Sequence, residues 1–273
     1  MNVGKLVRLN RLFSHPSGRY CSVAVDHFMV YAGGMPGGLR RIQPTLSAIV
    51  AARPDAVTMH KGIAATCWQP HAGRVPLIVQ SIIATPDDQF FEPVVTPEEA
   101  IRLGADAMAV VAFIRGPHEG SRLRAIADAV REAERFELPV IAHIYPRDMS
   151  CSPPEVSCDA EDIAWATRCA TELGVDVVKV QYCGDVKTYR QIVADCPIPL
   201  VVAGGPKAET FEDALAMMAE VVKTGARGAT IGRNVWESNR ITAAVHAFKA
   251  VIHDGKTPKE ALRAAGISPR DAR

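Results

Sequence analysis

The residue best placed to do chemistry is a lysine inside an apolar run. Val175-Asp176-Val177-Val178-Lys179-Val180-Gln181 sets an amine among β-branched side chains, where an unpaired charge is expensive to bury. Burial lowers a lysine pKa and frees the neutral amine, the form that attacks carbonyls. A structural lysine paired with a buried acid is the alternative, and the residue alone does not separate the two. Asp26, in Val25-Asp26-His27, ends another apolar run and could pair with Lys179 and pass protons, or simply cap a turn. In His143-Ile144-Tyr145-Pro146-Arg147, His143 and Tyr145 share a face at strand period. Tyr145 could be a general acid/base, or could be packed with its hydroxyl bonded. His143 could equally be a satisfied histidine at the rim.

Anion recognition has its own candidates. Gly204-Gly205-Pro206-Lys207 and Gly232-Arg233-Asn234 each follow an apolar run near the end of the chain. Glycine lets backbone N–H groups approach an anion, and Arg233 can fork onto a phosphate. One such turn would be a weak signal; two in succession are a stronger one. His60-Lys61-Gly62 adds a cation after a further run. His27, His60, His143, Arg147, Gly204, Gly205, Lys207, Gly232 and Arg233 are therefore the candidate substrate contacts, beside Lys179, Tyr145 and Asp26 as candidate catalytic groups. The eight histidines are scattered without HxH or HExxH spacing, so no metal site is expected.

Short Val/Ile/Ala runs alternate with amphipathic stretches, a pattern that predicts βαβ units and a parallel sheet. Eight strands are expected: Cys21–Asp26, Ala56–Met59, Pro76–Gln80, Ala107–Ala112, Pro139–His143, Asp176–Gln181, Pro199–Ala203 and Gly228–Ile231. Helices are expected over Arg122–Phe136, Asp159–Leu173 and Phe211–Thr224, with Gly174 as a C-cap and Glu209 and Glu212 near a positive helix end. Eight strands in this order suggest a closed (β/α)8 TIM barrel, whose functional groups collect at the C-terminal strand ends. The rival doubly wound sheet lacks its fingerprint, because Gly33–Gly38 (GGMPGG) is not GxGxxG. No linker marks a second domain, so residues 1–273 are read as one barrel with a core of about 20–250. A short helix over Pro258–Ala265 is an oligomer contact or a loose terminus.

The bulk numbers agree. A chain of 273 residues with 48% hydrophobic residues can bury one large core. Its 31 basic and 30 acidic residues leave a formal charge of +1, so nucleic acid is not an expected partner and any anion site must be local. No apolar run reaches the roughly 20 residues that span a bilayer, and Met1–Phe13 lacks a secretion-signal pattern. Seven scattered cysteines without CxxC fit reduced thiols in a cytoplasm.

Five segments carry a resemblance: VAVDH (Val23–His27), IYPRD (Ile144–Asp148), VDVVKV (Val175–Val180), VVAGGPK (Val201–Lys207) and IGRNVWES (Ile231–Ser238). In order and over about residues 20–250, the chain resembles the archaeal-type class I fructose-bisphosphate aldolases. That family also holds the aminodideoxyheptulosonate synthases and the autoinducer-2 thiolase. The resemblance implies that Lys179 forms the Schiff base, Tyr145 is the general acid/base, Asp26 is the acid beside them, and Gly204, Gly205, Gly232 and Arg233 bind phosphate. It also implies no cofactor or metal, because the iminium is the electron sink, and a homo-oligomer of five or ten subunits. Three positions depart from the family pattern: Phe28 replaces a usual glycine, His143 a usual tryptophan, and Asp148 a usual glycine. The expected function is metal-independent cleavage or formation of a C–C bond in a phosphorylated ketose resembling fructose 1,6-bisphosphate, with dihydroxyacetone phosphate as the donor fragment. The rivals are transfer of a ketol or acyl fragment on the same lysine, and a phosphosugar-binding barrel without Schiff-base chemistry.

Overall fold

A computed structural model describes residues 2–27, 34–85 and 90–268. Eight strands form its centre: β1 (Tyr20–Ala24), β2 (Ala56–His60), β3 (Leu77–Gln80), β4 (Ala107–Ile114), β5 (Val140–Asp148), β6 (Val177–Val180), β7 (Leu200–Ala203) and β8 (Gly228–Ile231). Each pairs in parallel with its sequence neighbours, β8 returns to β1, and β4–β5 completes the ring. This is the expected closed (β/α)8 barrel. β-Branched runs suit it because every strand is covered on both faces, by helices outside and by side chains within.

The helices begin where polar side chains cap them. Asp159 accepts from the N–H groups of Glu161 and Asp162 ahead of helix Ala160–Glu172, and Thr210 forms a capping box with Asp213 at helix Phe211–Lys223. Helix Glu119–Glu134 starts three residues earlier than its apolar period suggests, since its first turn is polar. Helix Pro258–Ala264 is docked rather than loose: a Thr257–Glu260 capping box starts it, and Ala261 and Leu262 are buried. Among the described residues no helix is long and apolar enough to cross a membrane.

The barrel has a floor. Tyr20, Ala56, Ile78, Ala107, Ala109, Ile141, Val177 and Val201 meet inside it, and Leu12 closes the cluster from below. Leu12 ends an N-terminal helix, Val3–Leu12, that the sequence reading did not anticipate. Because side chains alternate, these floor residues fix which others face inward above them: Thr58 and His60, Gln80, His143 and Tyr145, Lys179 and Gln181, and Thr230.

Candidate active site

Lys179 is 5% exposed and lies one inward step above floor residue Val177. Its register partners are His143 on β5 and Val201 on β7. His143 is also buried, so an amine and an imidazole project from adjacent strands toward the same interior. Tyr145 is one inward step higher, half-buried, with its ring 5.7 Å from that of Phe113.

Charges organise this interior. Burial pushes the Asp26 carboxyl upward most strongly, but His27, Lys179, His143 and His60 together outweigh it and hold the group below the usual carboxylate range. Asp26 is therefore an anion at neutral pH. Burial drives His27 down to about 4 against the pull of Asp26, with Lys179 and Arg233 adding to the fall. Burial, then Lys179, puts His143 well below its ordinary value. Both imidazoles are neutral at pH 7, which leaves one carboxylate facing the lysine amine across neutral bases. His27 Nδ1 stands 3.3 Å from Asp26 Oδ1, and His60 Nε2 bonds to the Asp26 carbonyl at 3.0 Å.

The two glycine turns lie beside this group. The Gly204 N–H is committed to the Thr230 carbonyl, and a Cβ on Gly204 would sit 2.8 Å from Ile231 Cα. Gly204 therefore shapes the turn, whereas Gly205, at φ +71, supplies its left-handed bend. Gly232 lies against His27, where a Cβ would come within 2.6 Å of the ring. Arg233 donates from Nη2 to the Gly205 carbonyl at 3.0 Å, which joins the turns after β7 and β8. Asn234 joins them more firmly: its Oδ1 accepts from Ala208 N–H, and its Nδ2 donates to the carbonyls of Gly204 and Pro206.

Other candidates lie further out. Lys207 is at the rim, its side chain 55% exposed and paired with Glu237 at 3.5 Å. Lys61 is paired with Glu99. The Arg147 guanidinium is buried and packs over Gly116, where an added Cβ would meet Nη2 at 3.1 Å. Phe28 lies outside the described residues. Among the described residues no group of three His, Cys, Asp or Glu is arranged to hold a metal ion.

An inward lysine, a carboxylate and paired glycine turns are thus gathered at the C-terminal strand ends of a parallel barrel. Residues 21–238 match the DeoC/LacD family aldolases. The chain belongs to that family. Among curated proteins, this aldolase-family chain is 32% identical to the 2-amino-3,7-dideoxy-D-threo-hept-6-ulosonate synthase of Halobacterium salinarum, over 97% of this chain and 98% of that one. It is 30% identical to the 2-amino-4,5-dihydroxy-6-oxo-7-(phosphonooxy)heptanoate synthase of Streptomyces griseus, over 96% and 95%. Among solved structures it is similar to a Schiff-base-forming fructose-1,6-bisphosphate aldolase, at a TM-score of 0.81 and 28% identity over 91% and 99% of the two chains.

Sequence reasoning missed three features of the aldolase-family site. Gln181 was legible in principle, as the next inward position after Lys179. Gln80 ends β3 and faces the same interior. The role of Asn234 depends on backbone groups 26 to 30 residues away, and no local signal announces it.

Proposed function

We propose that this chain is a class I aldolase that joins a phosphorylated three-carbon ketone to an aldehyde through an imine on Lys179. The observation that carries the reading is the burial of Lys179 in register with His143 and within the field of the Asp26 carboxylate. Similarity to a Schiff-base-forming aldolase supports it.

The chemistry follows from those groups. The Lys179 amine adds to the donor ketone, and loss of water from the carbinolamine leaves an iminium. The iminium draws electrons from the neighbouring carbon as a base removes its proton, giving an enamine. The enamine carbon attacks the aldehyde carbon, and the aldehyde oxygen takes a proton to become a hydroxyl. Water then adds at the iminium and frees the product and Lys179. Tyr145 is the proton donor to the new hydroxyl, and the anionic Asp26 offsets the iminium charge and relays protons. The donor phosphate rests against the turns at Gly205 and Gly232, with the remaining Arg233 donors directed to it.

The aldehyde is inferred from the relatives. The product named for the Streptomyces enzyme has a ketone on its sixth carbon, a phosphate ester on its seventh, and hydroxyls on its fourth and fifth. An aldol disconnection between the fourth and fifth carbons leaves dihydroxyacetone phosphate and 2-amino-4-oxobutanoate, a four-carbon amino aldehyde. For this chain an aldehyde of that kind is favoured over glyceraldehyde 3-phosphate. His143 supports the choice, since it puts a neutral polar ring where the fructose-bisphosphate enzymes usually carry tryptophan. The test is to supply dihydroxyacetone phosphate with each aldehyde and identify products by mass. Faster formation of the seven-carbon amino product is expected. Preference for fructose 1,6-bisphosphate would restore the sugar-phosphate reading, and no product from either would refute the aldolase.

A further inference from the structure

Gln181 follows Lys179 by two residues, immediately past the end of β6 at Val180, and the strand's alternation carried on one residue sets it on the same inward face, one step nearer the mouth. It is 9% exposed. Its Nε2 donates to the Ser157 carbonyl, which fixes the orientation of the carboxamide and leaves Oε1 with no partner among the described residues. Gln80 repeats the arrangement on β3: it is 2% exposed, Nε2 donates to the Ile82 carbonyl at 2.8 Å, and Oε1 has no partner among the described residues. His60, in register with Gln80, completes the set. A carbonyl can only accept, so the His60 Nε2 bonded to the Asp26 carbonyl carries the hydrogen, and Nδ1 is a buried ring nitrogen again without a partner among the described residues.

The ends of β3 and β6 thus each present a buried acceptor with no matching donor among the described residues, and His60 adds an unpartnered ring nitrogen. Native proteins leave few such atoms unsatisfied, because each forfeits its bonds to water. A ligand that brings O–H or N–H groups removes that cost; one without them does not. We propose that Gln181 selects the aldehyde substrate: its Oε1 accepts a hydrogen bond from a hydroxyl or ammonium beside the aldehyde, with Gln80 and His60 lining the same wall. The proposal rests on the imine reading above. Position supports Gln181 as the selecting residue, since it is the next position on the face that carries Lys179. A site built to bond a donor group discriminates against an analogue that lacks it, as the buried acceptor is then left bare.

The test compares wild type, Gln181→Met and Gln181→Glu with dihydroxyacetone phosphate and three aldehydes: propanal, glyceraldehyde and 2-amino-4-oxobutanoate. The readout is kcat/KM for each polar aldehyde relative to propanal. Gln181→Met is expected to lower that ratio by about ten- to a hundredfold. Gln181→Glu keeps an acceptor oxygen and is expected to restore it: recovery for the amino aldehyde alone identifies ammonium as the group recognised, recovery for glyceraldehyde alone identifies a hydroxyl, and recovery for both shows that the oxygen accepts from either donor. Equal losses with all three aldehydes in Gln181→Met, no change in the ratio, or no recovery in Gln181→Glu would overturn the assignment. Borohydride trapping in the same preparations separates the two readings. A Lys179 adduct in Gln181→Met with unaltered selectivity refutes the role of Gln181 alone, whereas no adduct in the wild type refutes both.

Discussion

Asp26 stands where Lys179, His27, His60 and His143 converge, and the neutrality of the His27 and His143 rings leaves its charge directed at the lysine. That neutrality has a stability consequence. The unfolded chain protonates His27 near pH 6.5, whereas the folded chain resists until about 4. Between those values the unfolded state holds the extra proton, so stability rises with pH across the window and is lost as pH falls through it. The span corresponds to about 3 kcal/mol at most, reduced by solvent at a side chain that is 26% exposed. His143 adds a contribution of the same sign. Urea midpoints measured from pH 4 to 7 should climb in the wild type and climb less in His27→Asn; parallel curves would contradict the assignment. The sequence made these residues visible as candidates, because each ends an apolar run. Their protonation states were not visible, since they arise from neighbours on other strands.

At the scale of elements, the turns after β7 and β8 act as one unit because Asn234 and Arg233 tie them together. Removing the Asn234 amide should strand three backbone groups and cost about 1–3 kcal/mol. Asn234→Ala is accordingly expected to raise KM for the phosphorylated donor by about tenfold with a smaller effect on kcat; a fall in kcat with unchanged KM would place Asn234 elsewhere in the mechanism. Alanine at Gly232 should act through space, because its Cβ would fall into the His27 ring. Weaker donor binding, read by titration calorimetry, is the expected result, and unaltered affinity would contradict it. Strand positions were readable from β-branched runs between turn residues, and all eight appear. Strand lengths were less so. β5 runs on to Asp148 because it pairs with β4 as far as Ile114 and then with Glu155–Val156 in the following loop. Those partners are set by the closed barrel rather than by local propensity.

For the whole molecule, the N-terminal helix matters through its last turn. Val3, Leu6 and Val7 are exposed, so its apolar pattern does not mark a core face. It is held instead by distant contacts: Leu12 in the barrel floor, Lys5 on Asp176 at 3.1 Å and Arg11 on Asp106 at 3.0 Å. This is why the helix escaped the sequence while the barrel did not. Leu12→Ala should empty the floor beneath Val177 and cost about 2–5 kcal/mol. Thermal unfolding checks this, and an unshifted midpoint would mean that the floor closes without Leu12. The proposed function turns on one amine above that floor, so the most direct test is to trap it. Incubation with dihydroxyacetone phosphate and borohydride, followed by peptide mass spectrometry, should give a stable reduced adduct on Lys179 in the wild type and none in Lys179→Met. An adduct on a different lysine, or none under conditions where the donor binds, would contradict imine formation at Lys179.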